Sequence, residues 1–271
     1  MEILFNNDTS YKCKKQLQTT IPVCVEDVIL TPLTCGCLIN EILKCLLYQK
    51  AQIPYPYSWL QSAINKKRNS ASFTVQKHHQ VASDVFNTLQ KMMVNILKEL
   101  ETNLVLEILI VFGALPFTPK EIYTIKIPKL AKGHNEANHQ ALIKKHQNKI
   151  LRHIFLKEDW LTAVENPLPL TNTYLFLKKN ESCSDLFDIN KDYEVPSNIK
   201  NTIIDLSYSN LNDECCNNLK IYTENSEMSE SFKIEKHESV DDEVFNWYQA
   251  NISLKGYKDC FINKTSASEL W

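Results

Sequence analysis

The chain has 271 residues, of which 44% are hydrophobic and 23% are charged, and these fractions are typical of globular proteins with a packed core. A net charge of −2 gives no electrostatic reason to expect nucleic acid as a partner. Only four glycines occur, and they are not spaced as in a phosphate-binding loop, so a nucleotide-binding enzyme is not expected.

The first part of the chain predicts two helices after a poorly patterned start. Residues 1–34 carry scattered polar side chains, and we expect them to be loosely organised. A helix is predicted over Cys37–Lys50, and Gln49 falls on its apolar stripe. An amide at that position needs a partner if it is buried, or it belongs to a contact surface. A longer helix is predicted from Gln76 to Glu101, because apolar residues recur there at steps of three and four.

The stretch Glu107–Pro128 predicts two adjacent strands. Residues 108–112 are all apolar, which is typical of a central strand buried on both faces. From Tyr123 onward apolar and polar residues alternate, which is typical of a half-exposed strand. Pro116 and Pro119 cannot donate to a ladder, so we expect both to hold the connection outside the sheet.

A third helix is predicted from about Glu136 to Phe155, with Ile150 and Ile154 on its core stripe. Leu151 and Phe155 lie to one side of that stripe. The polar residues on the same flank are Lys144, Asn148 and Arg152. The two apolar side chains either widen the core face or form a helix-mediated interface, and the sequence leaves both interpretations open.

The chain after Trp160 has a β-rich pattern. The candidate strands are Thr171–Leu177, Thr202–Ser207 and Glu243–Leu254. Residues 213–243 carry ten acidic residues against three lysines, and we expect a solvated acidic loop there.

Neither an internal repeat nor a clear linker divides the chain. We therefore expect a single domain over residues 35–258 that includes the acidic loop. The remaining tail, residues 259–271, has no role that the sequence assigns.

The nine cysteines do not form a pattern that carries chemistry. Cys35-Gly36-Cys37 and Cys215-Cys216 are the tightest spacings, and neither is a C-x-x-C pair, so no metal and no cofactor are expected. The N-terminus lacks an apolar segment of signal-peptide length, and no apolar run approaches the length of a membrane span. We expect a chain without membrane contact whose thiols stay reduced in the cytosol or nucleus.

Three separated blocks together resemble the comet family, the Mad-two-binding proteins that silence the spindle assembly checkpoint. The blocks are Cys37–Tyr57, the stretch Glu107–Pro128, and Trp247-Tyr248-Gln249-Ala250 with Lys255-Gly256-Tyr257. In the first two blocks the resemblance rests on Glu41-Ile42-Leu43-Lys44, Tyr48-Gln49-Lys50 and Pro119-Lys120-Glu121-Ile122-Tyr123. The order and spacing of the blocks over residues 35–258 make the match specific.

The resemblance implies a HORMA-like fold of the α+β class, with a mixed or antiparallel sheet backed by three helices and a C-terminal segment like a safety belt. It implies a non-enzymatic adaptor that binds the closed conformer of Mad-two and caps its dimerisation surface. The adaptor would then present Mad-two to a hexameric AAA+ ATPase that remodels HORMA proteins. Together these steps would silence the mitotic checkpoint. The implied location is the nucleus and cytoplasm, with the spindle and kinetochore in mitosis.

The resemblance also assigns residues to these contacts. Gln49 and Leu151 match positions that face Mad-two, and the family has an aromatic residue where this chain has Leu151. The expected Mad-two face therefore consists of Gln49, Lys144, Asn148, Leu151, Arg152 and Phe155. The segment expected to face the ATPase contains Phe187, Ile189, Asn190 and Tyr193, with Ile189-Asn190 in place of the family's Pro-Lys pair. The belt contains Trp247, Tyr248, Gln249, Lys255 and Gly256.

Two alternatives remain open at this stage. The chain could instead be a client-type HORMA protein that clamps a closure-motif peptide under its own belt. The least favoured alternative is a cytosolic thiol enzyme built on one of the nine cysteines, although no family signature surrounds any of them.

Overall fold

The computed structural model of the chain describes residues 17–25, 30–65, 72–130, 140–180, 184–208 and 244–271, with backbone alone for residues 140–143. The helices are α1 Pro32–Gln49, α2 Tyr57–Ile64, α3 Phe73–Thr102, α4 Gln140–Phe155 and α5 Glu158–Val164, and a 3₁₀ turn spans Ala267–Leu270. The strands are β1 Gln18–Val25, β2 Val105–Leu115, β3 Thr118–Lys126, β4 Asn172–Asn180, β5 Phe187–Ile189, β6 Lys200–Tyr208, β7 Phe245–Ala250, β8 Leu254–Lys255, β9 Phe261–Ile262 and β10 Thr265–Ser266.

A mixed eight-stranded sheet lies at the centre of the fold, which confirms the predicted α+β class. Its strand order is β1-β6-β3-β2-β4-β7-β5, and β8 pairs with β4 outside this path. Strand β6 runs parallel to both β1 and β3. The pairs β2–β3, β2–β4, β4–β7, β4–β8 and β5–β7 are antiparallel. Strands β9 and β10 form a separate hairpin.

Strand β2 is buried on both faces of the sheet, as its unbroken apolar run predicts. Ile108 and Ile110 belong to the core beneath the helices, whereas Leu109 and Val111 belong to a smaller core on the other face. The predicted role of Pro119 is wrong, because this residue lies inside β3 and is paired with Gly113. The ladder shifts register on both sides of Gly113. That irregularity accommodates a residue without an N–H group.

The predicted helices over 37–50, 76–101 and 136–155 correspond to α1, α3 and α4. Helix α1 begins earlier than predicted because Thr31 and Thr34 form a capping box in front of Pro32. The buried face of α1 and that of α3 pack on one side of the sheet. Residues 136–139 of the predicted third helix lie outside the described residues. The short helices α2 and α5 are not predicted by the sequence, because each spans about two turns.

The other face of the sheet is covered by the irregular chain that joins β5 to β6. Its main contact is Tyr193, whose ring stacks on Phe176 with 4.1 Å between centroids and 18° between planes. Val195, Ile199 and Trp247 pack at the rim of this second core. No helix of the described chain takes part in it.

The expectation of a loosely organised segment over 1–34 is wrong for the part that the structure describes. Strand β1 extends the sheet beside β6, and Ile21, Val23 and Val25 point into the core. Their alternation with Pro22 and Cys24 is the period-two pattern that would have predicted the strand.

The tail 259–271, to which the sequence assigns no role, packs on α3. Trp271 is buried and donates a hydrogen bond from Nε1 to Nδ1 of His78, with 3.2 Å between the nitrogens. Tyr55 forms hydrogen bonds with the hydroxyls of Ser266 and Ser268. The tail is therefore part of the packed domain. The acidic loop predicted over 213–243 lies outside the described residues.

Candidate partner-binding surface

The end of α1 presents two polar or aromatic side chains to solvent. Gln49, the last residue of the helix, is exposed, and Tyr48 beside it is 41% exposed. Of the two interpretations of a glutamine on this stripe, the structure therefore favours the contact surface. Cys45, one turn earlier, is half-buried against the core.

The position of the α1 end is fixed by a buried charge cluster directly behind Gln49. Lys50 caps α1, and its Nζ lies 2.7 Å from Oε2 of Glu121 on β3 and 2.7 Å from the carbonyl oxygen of Ala163 on α5. The hydroxyl of Tyr123 donates to the same carboxylate. Burial lowers the pKa of Lys50, and the hydrogen bond to Glu121 opposes that shift. Lys50 thus joins α1 to β3 through an ion pair and to α5 through a hydrogen bond.

Helix α4 divides its side chains between the core and the surface. Ile150 and Ile154 are buried, as predicted, and Lys144, Asn148 and Arg152 are exposed. Leu151 and Phe155 are half-buried and pack against the core, so each offers part of its surface to solvent. The flank therefore contributes to the core, and its remaining exposed surface is accessible to a partner.

Two contacts place α4 beside the start of α1 and α5 beside its end. Near the start of α1, Gln147 donates to the carbonyl oxygen of Thr34 at 3.0 Å. At the other end of α1, Lys50 reaches Ala163 on α5. Between them, the ring of Phe155 lies 5.1 Å from that of Trp160 on α5. The helices α1, α4 and α5 thus form one connected surface that carries Gln49 at one end and Lys144 at the other.

The sequence missed two exposed apolar residues of this surface. Tyr48 lies inside a block of the resemblance, but its helical position beyond the core stripe is the signal that marks it as exposed. Leu161 is 53% exposed on α5, and it could not be placed without that unpredicted helix. Exposed aromatic and aliphatic side chains beside an amide are typical of protein-binding surfaces.

The segment expected to face an ATPase contains residues of two kinds. Phe187 and Tyr193 are buried, 1% and 3% exposed, so they anchor the segment to the domain and cannot contact a partner in this conformation. Ile189 is 43% exposed and Asn190 is half-buried. The amide of Asn190 donates to the carbonyl of Trp247 at 2.8 Å. Of the four expected contact residues, Ile189 and Asn190 are therefore the accessible ones.

The residues expected in a belt lie on β7, at the end of β8 and directly after it. Strand β7 is paired on both sides, with β4 and with β5. Tyr248 is buried, and Nζ of Lys179 lies 4.5 Å from its ring centroid, while the same nitrogen is 2.7 Å from Oε2 of Glu99. Trp247 and Gln249 are half-buried and Lys255 is exposed.

Gly256 packs closely against the chain that follows α1. A Cβ atom at this position would lie 2.7 Å from Oε1 of Gln52, which itself accepts a hydrogen bond from the amide of Thr171. The amide of Tyr257 donates to the carbonyl of Gln52 at 2.9 Å. A side chain at position 256 would therefore displace the segment after β8.

Two of the described thiols, Cys35 and Cys45, are not activated. Burial raises the pKa of Cys35 to about 12, and burial together with Glu41 raises the pKa of Cys45 to about 11. A thiol that stays protonated at neutral pH is a weak nucleophile. Among the residues that the structure describes, no three His, Cys, Asp or Glu side chains come together as metal ligands would. None of the helices in the described part is long and apolar enough to cross a membrane.

Comparison with known proteins identifies the family to which the chain belongs. A family model described as "p31comet: Mad1 and Cdc20-bound-Mad2 binding" matches residues 6–215. The chain belongs to the p31comet family. Two curated members of similar sequence are the "MAD2L1-binding protein" of Mus musculus and that of Homo sapiens. Each is 24% identical over 228 residues, which cover 81% of this chain and 72% and 73% of those proteins. The resemblance inferred from the three blocks is thereby confirmed, and the chain is a divergent member of the family.

Proposed function

We propose that this chain is a non-enzymatic adaptor that binds the closed conformer of Mad-two (Mad2) through the surface formed by α1, α4 and α5. Support comes from membership in the p31comet family, whose description names Cdc20-bound Mad2. The observation that carries the proposal is that Gln49 is exposed at the end of α1, while α4, which packs beside α1, leaves part of Leu151 and Phe155 open to solvent.

The binding energy would come from a small number of contacts. Burial of the exposed parts of Leu151 and Phe155 in an interface removes apolar surface from water, and Gln49 adds a directional hydrogen bond. Lys144, Asn148 and Arg152 would surround these contacts as a polar rim. Rim charges raise the rate of association more than the affinity.

The proposed consequence is control of Mad-two assembly. An adaptor on the dimerisation surface of closed Mad-two blocks the recruitment of a second Mad-two. Because a ligand can shift a conformational equilibrium only by its differential affinity, reversal to the open form requires work from another protein. We propose a hexameric AAA+ ATPase for that step, with Ile189 and Asn190 as the accessible contacts, in the nucleus and cytoplasm and at the mitotic spindle and kinetochore.

We further propose a HORMA-like fold in which the chain from β7 to Tyr257 is the belt-like segment. The mixed sheet with α1, α3 and α4 on one face is compatible with it. Pairing of β7 with both β4 and β5 argues for a closed belt, since opening would break two ladders.

Binding to closed Mad-two tests the proposed surface. The double substitution Leu151→Asp with Gln49→Ala is expected to weaken binding by about 30-fold or more, as loss of a central contact does. Isothermal titration or co-elution from a sizing column measures the effect. Closed and open Mad-two, prepared separately, are titrated in parallel, and preference for the closed form is expected.

Two further variants keep this experiment interpretable. Lys144→Glu with Asn148→Ala changes exposed residues alone, so it tests the surface without a risk to folding. Val94→Asp introduces the same aspartate at a 47% exposed position on α3, and it should leave binding unchanged. Undiminished binding by both surface variants, with cooperative melting of each, would exclude this surface.

A further inference from the structure

A cationic cleft lies between α4 and β1, on the flank of α4 that faces away from Leu151 and Phe155. Its cavity has a volume of about 470 Å³. The lining residues are Cys24 of β1, Leu156 and Lys157 after α4, and His146, Lys149, Ile150, Arg152 and His153 of α4. This cleft is not part of the surface assigned to Mad-two, with the exception of Arg152.

The chemistry of the cleft fits a chain that is both acidic and apolar. Lys149, Arg152 and Lys157 are basic, the two histidines add imidazole groups, and none of the lining residues that the structure describes is acidic. Lys157 is directed to β1 by a hydrogen bond from Nζ to the carbonyl of Pro22. Leu156 is 70% exposed at the mouth of the cleft, beside the buried Ile150. Such a leucine is left uncovered by the rest of the described chain.

A matching sequence begins a few residues from the cleft. Tyr208, the last residue of β6, is the pairing partner of Val25, and Ser207 is the partner of Cys24. The residues that follow, 209–243, include the acidic segment 213–243 with its ten carboxylates. Phe232 and Ile234 lie among these carboxylates. The segment thus combines the negative charge and the apolar side chains that the cleft could bind.

The path of the chain leaves enough length for this contact. The pairs Asp205–Lys126, Glu107–Lys126, Glu107–Lys178 and Asn246–Lys179 place the end of β6 and the start of β7 at the same end of the sheet. These two strands are four positions apart, or roughly 19 Å at the spacing of paired strands. An extended chain as long as 209–243 reaches about 115 Å. Its course is therefore not dictated by the need to connect the strands.

We propose that the acidic segment 213–243 binds intramolecularly in this cleft. Attachment of the segment next to the cleft gives it an effective concentration on the order of millimolar, so that even weak ion pairs are occupied. The contact is electrostatic and weakens with salt. Because Arg152 contributes to both surfaces, the bound segment competes with a partner on α4 for that side chain.

Zero-length cross-linking of the full chain by a carbodiimide tests the proposal. The reagent joins lysine amines to carboxylates that touch them, and peptide mass spectrometry identifies the pairs. We expect Lys149 and Lys157 to be joined to carboxylates of 213–243, in a yield independent of protein concentration. Arg152→Glu with His153→Glu leaves both lysines in place and should lower this yield roughly five- to tenfold. About 0.5 M NaCl should lower it as well.

A matched variant separates specific binding from a general effect of charge. Lys91→Glu with Lys98→Glu reverses two exposed lysines on α3 and should leave the cross-links at the cleft unchanged. Cross-links spread evenly over exposed lysines, or an unchanged yield after reversal at 152 and 153, would overturn the proposal. Mad-two is absent from the experiment, so its result does not depend on the proposed function.

Discussion

The two faces of the sheet are covered by chain of different kinds. On one face, helices α1, α3 and α4 cover a large core, and buried ion pairs join α1 and α3 to the strands. On the other face, a small core of six buried side chains is covered by irregular chain and depends on Tyr193. The difference indicates that the helix side holds the proposed Mad-two surface rigid, whereas the chain after β5, which depends on Tyr193, can detach at lower cost.

The largest effect is expected from the ion pair on the helix side. Glu121→Gln leaves Lys50 and Lys200 near each other without their carboxylate, because Glu121 contacts both amines. Removal of one partner of a buried pair costs about 4 kcal/mol of unfolding free energy. Denaturant unfolding measures it. If the loss is below about 1 kcal/mol, the network does not determine the position of α1 and α5.

A smaller and more local effect is expected on the other face. Tyr193→Ala removes the ring that stacks on Phe176 and should cost about 3 kcal/mol, the scale of a truncated buried aromatic residue. Hydrogen exchange should become faster at Asn190 and Tyr193, whose amides bond to Trp247 and Asn190, while the amides of α1 and α3 are unaffected. A uniform increase across both faces would contradict the comparison.

The hydroxyl of the same tyrosine gives a finer test. Burial raises the pKa of Tyr193 to about 12, and its oxygen has no hydrogen-bond partner among the described residues. Tyr193→Phe should therefore keep the stack and stabilise the chain by up to about 1 kcal/mol, because an unsatisfied buried polar group is removed. Thermal unfolding of the two variants side by side separates the contribution of the ring from that of the oxygen. A destabilised phenylalanine variant would show that the hydroxyl is paired.

The smallest effect is expected from a half-buried ion pair, which serves as the control for Glu121. Nζ of Lys178 lies 3.2 Å from Oε1 of Glu107, with side chains 34% and 23% exposed. Glu107→Gln should cost less than about 1 kcal/mol, since solvent screens the pair. The contrast with Glu121→Gln in the same assay tests whether burial, and not charge alone, sets the cost.

The elements that the sequence predicts are those with long periodic patterns. Helix α3 and strand β2 carry enough apolar residues in register to be assigned without tertiary information. Strand β1 was missed although Ile21, Val23 and Val25 alternate, because Pro22 argues against a central strand. Pro22 is tolerated because β1 is an edge strand of the sheet.

The sequence also predicts only part of the candidate surface, because some of its features depend on contacts between distant parts of the chain. The position of Gln49 on its helix already suggests a contact surface, and the structure shows the side chain exposed. The burial of Phe187 and Tyr193 could not be predicted, since their neighbours Ala250 and Phe176 are distant in sequence. Assignment of the segment to a partner came from the resemblance, which does not distinguish an anchor from a contact.

Pro22 also has a consequence for how copies of this chain meet one another. Among the described residues β1 pairs with β6 alone, so its outer side could recruit a strand from another molecule. Pro22 offers no N–H group there, and Lys157 occupies its carbonyl. At the opposite edge of the sheet, β5 has only three residues, which are too few to act as a long template for another strand. Neither edge strand, β1 or β5, is thus a good template for aggregation.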